Sequence, residues 1–337
     1  MVENPSNKEL GSLLHHGSSI TKLYFPNRGK LLSSAEDSTI AVTRTRDWSL
    51  LSTIKAPIPK AVGRPSGDTA PLGGAPSGVN DFAVHPSMKL MISVGKGEKC
   101  MRLWNLVTGK KAGALSFERS MLAEVGEGRH SSGEGRKVAW GADGEGGEEF
   151  CVVFDRGVLV FGMNCKPKCK VVPEPKTKIH QVFYVSVGEE EDVMAVSTED
   201  GRILFYSTKP SNLVAGKEEE LPAAKLVAQL GGKEAGVTGR IKDFSVLSHG
   251  DDLVIATAGS EGAVKIWRLP TKDLSQGAEK KQVGKLLGTY ETNNRVTCLA
   301  SFIMLPVMEG EEEIIPDEAG LGDDDEASSG SDSSDSE

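Results

Sequence analysis

Reactive side chains occur throughout this 337-residue sequence, but their spacing does not assemble a chemical site. Cys165 and Cys169 stand four apart, as metal-binding thiols can, yet a closed zinc site needs two further ligands. His180, the nearest histidine, adds only one, so a pair of half-buried thiols is the better expectation. Asp323, Asp324, Asp325 and Glu326 form an acidic run, and flexible carboxylates without fixed geometry make poor cation sites. A phosphate-cradling loop places its glycines ahead of Lys-Ser/Thr, and neither GRPSGDTAPLGG nor GADGEGG does so. A serine nucleophile needs a positioned base, and six scattered histidines supply no motif. The sequence thus specifies no catalytic residue, no metal site and no cofactor. Binding is the expected role.

Three groups of residues could serve binding or structure. Lys166, Lys168, Lys170, Lys176 and Lys178 lie close together with one acid, Glu174, among them. They could meet RNA phosphates or a partner with a salt-dependent contribution, but a solvated connection between the third and fourth repeats is the favoured expectation. Ser329 and Ser334 each have an acid three residues on, the context acidophilic kinases use, and phosphorylation would add charge there. His16 stands beside His15 and could be either exposed or structural.

The elements that would carry these residues form a repeat. Five segments run from an acid, through a short turn, into alternating apolar residues: Asp37–Thr43, Glu98–Trp104, Asp155–Phe161, Asp200–Tyr206 and Glu261–Trp267. A ring or its substitute always falls six positions after the acid, although the ring positions themselves are 61, 57, 45 and 61 residues apart. An apolar stretch precedes each acid, which predicts strand, acidic turn, strand. The turn acid can accept bonds from backbone amides, and the ring can pack on the sheet face between neighbouring sheets. Upstream pieces (SITKLYF, VNDFAVH, KVAW, IHQVFYV, IKDFSVL) and downstream ones (WSLLSTIK, KKAGALSF, KLVAQL) supply further strands. Four-stranded sheets repeated radially make an all-β propeller.

These hairpins resemble WD40 repeats in degenerate form. Trp104 and Trp267 occupy the tryptophan position, followed by Asn105 and Arg268 in place of the usual acid, and Thr43 replaces the first tryptophan. The resemblance implies that His16, at the place of the repeat's histidine, forms most of the family's buried hydrogen-bond network with Ser33 and Asp37. Several longer stretches are similar to the Pak-kinase-interacting and maintenance-of-killer family of WD40 proteins. They are LLHHGSSITKLYFPNRGKLLSSAEDSTIAV, VNDFAVHPSMKLMISVGKGEKCMRLWNLVTGKKA, GRIKDFSVL with GAVKIWRL, and TNNRVTCLASF. The resemblance runs from Leu13 to Phe302 in the family's order. It implies a nuclear and nucleolar scaffold among ribosome-assembly proteins and pre-ribosomal particles of the large subunit. It also implies a role in restraining a Pak-type kinase. The family carries a further repeat before the segment matching LLHHGSSI, so the propeller is expected to be incomplete at its N-terminus, through a truncated gene model.

Composition bounds the rest. The net charge of −9 is concentrated: 13 acids and no Lys or Arg follow Met308, leaving residues 1–308 near +4. Residues 309–337 hold few apolar groups and are expected to be a disordered acidic tail beside a partial propeller body at 1–308, with five hairpin repeats and a partial one at Arg295–Phe302. The N-terminus has no signal pattern, no apolar run approaches the ~18 residues of a spanning helix, and five irregularly spaced cysteines give no disulfide framework. Secreted, membrane-spanning and collagen-like classes are excluded. Inserts at 56–78, 124–136, 141–149 and around 209–240 are read as surface loops between or within repeats.

Overall fold

Each acidic turn closes an antiparallel hairpin, and the residue after the acid shows how. Ser38, Gly201 and Gly262 follow Asp37, Asp200 and Glu261 with φ of 63°, 82° and 103°. This left-handed backbone suits glycine and is less favourable for other residues. Ser38 is held there with its hydroxyl accepting a 2.8 Å bond from the Gly78 amide. In this computed structural model the described residues are 11–59, 78–128, 131–143, 147–188, 192–216, 220–275 and 281–303.

Blade one is a meander of β1 (Ile20–Asn27), β2 (Lys30–Ala35), β3 (Thr39–Arg44) and β4 (Leu50–Lys55). Blade two contains β5 (Val79–Val84), β6 (Leu90–Gly95), β7 (Cys100–Asn105) and β8 (Lys110–Ser116), and a short helix α1 (Arg119–Glu124) follows it. Blade three contains β9 (Lys137–Ala142), β10 (Glu148–Val153), β11 (Val158–Gly162) and β12 (Pro167–Val171). Blade four begins with β13 (Ile179–Ser186), β14 (Asp192–Thr198), β15 (Arg202–Ser207) and β16 (Lys225–Gly231). Blade five holds β17 (Ile241–His249), β18 (Asp252–Gly259) and β19 (Ala263–Pro270). After α2 (Lys272–Ser275), β20 (Lys281–Gln282) adds a parallel edge to β16, and β21 (Lys285–Glu291) completes blade five. The protein is an all-β propeller of WD40 type with five blades among the described residues.

Side chains alternate along a strand, so each blade has two faces, and the core lies between blades. Leu32, Ile40 and Ile54 of blade one meet Phe82, Met91 and Trp104 of blade two. Ile92, Val94 and Met101 then meet Phe150, Leu159 and Phe161 of blade three. Cys151, Val153 and Val160 meet Met194, Leu204 and Tyr206 of blade four, and Ala195, Ile203 and Phe205 meet Ile255 and Trp267 of blade five. The ring six positions after each turn acid therefore faces the preceding blade. Contact clustering gives one compact unit over Met1–Ser301 and a second over Phe302–Glu337, of which Phe302 and Ile303 are described.

Two expectations change. The segment Cys165–Lys178 was expected as a solvated connection, but Pro167–Val171 is β12, the outer strand of blade three. A proline and two lysines hid its alternation, in which Cys169 and Val171 are buried. Among the described residues Arg295–Phe302 forms no strand ladder of its own. The insert at 124–136 begins with the end of α1, whose Leu122 is buried against the core of blades two and three. The acidic tail with Ser329 and Ser334, and most of the 56–78 insert, lie outside the described residues.

Candidate interaction surface

The turn acids build the framework on which any surface rests. In blade one, His16 places Nε2 2.8 Å from the Ser33 hydroxyl and Nδ1 2.8 Å from the Thr39 hydroxyl. Thr39 in turn donates to Asp37 Oδ1 at 2.6 Å, and the Gly17 amide donates to Asp37 Oδ2 at 3.1 Å. Burial alone would raise the Asp37 carboxyl, but the bonds from Thr39 and Gly17 outweigh it and hold the group below its ordinary value. His16, Ser33 and Asp37 thus share one network, and Thr39, two residues past the acid, is the link that sequence reasoning missed. The side chain of His16 is 4% exposed.

Elsewhere arginine replaces the histidine. Arg102 forks onto Glu98 in blade two, and Arg202 forks onto Asp200 in blade four through Nε at 3.0 Å and a second nitrogen at 2.7 Å. Burial disfavours ionised Asp200, yet Arg202 and Thr198 keep its carboxyl below the ordinary range. Bidentate pairing of this kind fixes direction as well as distance. In blade three Asp155 takes Arg136 at 3.2 Å and Lys178 at 3.3 Å. The ring positions are buried: Trp104 donates to Ser93 at 2.8 Å, Trp267 donates to Thr257 at 3.2 Å, and Phe161 stacks on Phe150 with centroids 5.2 Å apart. Tyr206 is 4% exposed. Thr43 is fully buried, and its hydroxyl has no hydrogen-bond partner among the described residues.

The lysine run divides. Lys168 bonds Asp143 at 2.8 Å and Glu149 at 2.9 Å, and Lys170 bonds Glu124 at 2.7 Å. Glu149 is 1% exposed and also accepts from Tyr184 at 2.9 Å and Thr208 at 2.6 Å, so this cluster joins blades three and four. Their ammonium groups are internal partners of acids, which leaves Lys166, Lys176 and Lys178 as the outward members. Cys169 is buried, and burial followed by the charge of Glu149 pushes its thiol up to about 12, while Cys165 is half-buried. Among the described residues no group of three His, Cys, Asp or Glu side chains could hold a metal ion.

The innermost strands are tied blade to blade by carboxylates. Asp81 on β5 pairs with Lys22 of β1 at 2.7 Å and accepts a 2.9 Å bond from the Val138 amide of β9. Asp243 on β17 accepts from Gln181 of β13 at 3.0 Å and from the Leu299 amide at 2.9 Å. Leu299 therefore meets Asp243 as Val138 meets Asp81, which puts residues 295–301 in the place of the next inner strand.

Comparison with known proteins agrees with this geometry. The model for the WD domain, G-beta repeat, matches residues 7–42. The β-propeller domain of Myceliophteria_thermophila Cps50 (Swd1) superposes with a TM-score of 0.51 over 82% of this chain and 72% of that one. At 13% identity that likeness shows the fold alone. The p21-activated protein kinase-interacting protein 1-like of Gallus gallus is 27% identical over 88% of this chain and 63% of its own length. Protein MAK11 of Saccharomyces cerevisiae is 26% identical over 87% of this chain and 64% of its own. The chain is a WD40 protein related to these two. The human p21-activated protein kinase-interacting protein 1 is 26% identical over 66% of this chain and 45% of its own length. This WD40 chain thus spans less than two thirds of the relatives it matches.

Proposed function

We propose that this WD40 protein is a non-catalytic scaffold in assembly of the large ribosomal subunit, working in the nucleolus among ribosome-assembly proteins and pre-ribosomal particles. The observation that carries the reading is similarity to MAK11 over 87% of the chain, in the same order of segments. The geometry supports binding through blade faces and loops, because the polar networks are spent on closing turns and joining blades. A body charge near +4 is too small to drive non-specific RNA binding alone. Lys168 and Lys170 are already paired with acids, so direct rRNA contact contributes little and protein contacts supply the affinity. Depletion followed by sedimentation of ribosomal subunits tests this. Large subunits should fall and precursor RNA should accumulate; normal levels of both would overturn the reading.

A second reading is a negative regulator that binds a Pak-type kinase, and the names of the vertebrate relatives favour it. Co-purification with the tagged protein separates the two: a kinase without pre-ribosomal particles supports regulation.

A further inference from the structure

Cations from two neighbouring inner strands and from the segment after blade five gather in one region. Lys178 immediately precedes β13 and His180 is its second residue; Arg240 immediately precedes β17 and Lys242 is its second residue. Arg295 opens the segment that follows blade five. Lys242 Nζ lies 3.5 Å from His180 Nε2. Acids do not balance the group: Glu199 engages Arg240 at 3.0 Å, and Asp155 is shared between Lys178 and Arg136. Lys242 and Arg295 have no ion pair among the described residues.

The like charges are close enough to act on one another. Burial, then Arg240, Arg295 and Lys178, push the Lys242 ammonium below its ordinary value, against the pull of Glu199. Burial, then Lys242, push His180 down to about 4. The contrast with Lys168 and Lys170 is plain, since those two ammonium groups are matched by internal acids. Arg240, Arg295 and Lys178 are exposed or nearly so, with the side chains of Arg240 and Lys178 54% and 43% exposed.

We propose that this cation cluster, at the N-terminal ends of β13 and β17 and at Arg295, docks a phosphorylated acidic peptide segment of a partner protein. Two guanidinium groups offer forked donors suited to phosphate oxygens, and Lys242 adds a compact charge. Single-stranded nucleic acid is held along a run of phosphates with aromatic side chains under its bases, and no Phe, Tyr or Trp belongs to the cluster. A peptide carrying one or two phosphates fits its small extent better. The proposal rests on the scaffold reading only in assigning a binding role, and an assay on purified protein succeeds or fails independently of depletion.

The test is fluorescence anisotropy with the full chain and three probes. They are a labelled acidic peptide bearing two phosphoserines, its unphosphorylated counterpart, and an oligouridine of similar length. Saturable binding of the phosphopeptide, at least tenfold tighter than the other two probes, is expected. The double variant Lys242→Ser with Arg295→Ser should weaken that binding at least tenfold, and its melting temperature should equal or exceed that of the parent because repulsion is relieved. Lys110→Ser with Lys111→Ser, on the exposed face of β8, should leave binding unchanged. Absence of saturable phosphopeptide binding would overturn the proposal, as would equal loss in the β8 variant or tighter binding of oligouridine. A drop of several degrees in melting temperature for the Lys242/Arg295 variant would also overturn it, by assigning these cations to the fold.

Discussion

Blade one and blade five start from the same acidic turn and satisfy it in opposite ways. Blade five buries Trp267 against blade four and lets Thr257 accept its indole N–H, with no histidine involved. Blade one has His16, Ser33, Thr39 and Asp37 in one network, but its position six residues after the acid is Thr43. The rings of blades two to five all face the preceding blade. In blade one that position is Thr43, which is fully buried without a ring. Strand β1 is exposed, with Leu23 at 59% and Phe25 at 55%, whereas the matching strand β5 is largely buried. Blades two to four combine a polar turn with a ring packed on the preceding blade, whereas blade one keeps the polar turn and lacks the ring.

The strongest way to break the comparison is to remove the ring. Trp267→Ala should cost about 3–5 kcal/mol, and Trp104→Ala a similar amount, because both indoles are nearly fully buried between blades. Thermal melting would show this as a fall of at least several degrees. A loss below 1 kcal/mol would mean that the interblade contacts are not what holds blade five.

Removing the polar link in blade one comes next. His16→Ala leaves Ser33 without its ring partner and takes one donor from the Thr39 oxygen, whose proton goes to Asp37, a loss of about 2 kcal/mol for hydrogen bonds to a buried side chain. The signature would be local: hydrogen exchange should rise at the Gly17 and Thr39 amides, which bond Asp37, and stay constant in blade five. Uniform exchange across the molecule would contradict a blade-specific role.

Thr43 sharpens the contrast from the other side. Its buried hydroxyl has no hydrogen-bond partner among the described residues, and an unsatisfied buried polar group costs stability. Thr43→Val keeps the shape and should raise stability by about 1 kcal/mol in chemical denaturation. A loss of stability would show that the hydroxyl is bonded in solution.

How much of this was legible in the residues varies with distance along the chain. The turn acids and the rings six positions later stood out because a fixed offset survived unequal repeat spacing. Thr39 escaped because it falls between those marked positions and has no distinctive residue type. β12 and β21 escaped because PKCKV and KLLGTYE carry proline, lysine and glycine where a strand usually shows β-branched residues. The cation cluster was illegible for a different reason. Lys178 stood in the sequence beside Lys168 and Lys170, yet the fold sends those two to interior acids and brings Lys178 toward His180, Lys242 and Arg240. Only the convergence of β13 and β17 joins residues so far apart in the chain.

The smallest expected effect concerns the histidine of the cation cluster. His180 on β13 differs from His16 in its surroundings: it faces Lys242, Lys178 and Arg240, with Glu199 the one acid acting on it, whereas His16 faces hydroxyls and Asp37. Burial first and Lys242 second hold the folded imidazole near a pKa of about 4, below its ordinary 6.5. An unfolded chain therefore takes up a proton at this residue as pH falls through 6.5, while the folded chain resists until about 4. The stability contributed is fully present above the unfolded value and is lost progressively as pH drops toward the folded one. Solvent screening of a half-exposed group reduces the effect to under about 1 kcal/mol. Denaturation midpoints taken between neutral and moderately acidic pH should fall for the parent, and His180→Gln should flatten that part of the slope. An unchanged slope would place the acid sensitivity in the carboxylates that close the turns, Asp37 and Asp200 above all, instead of in this histidine.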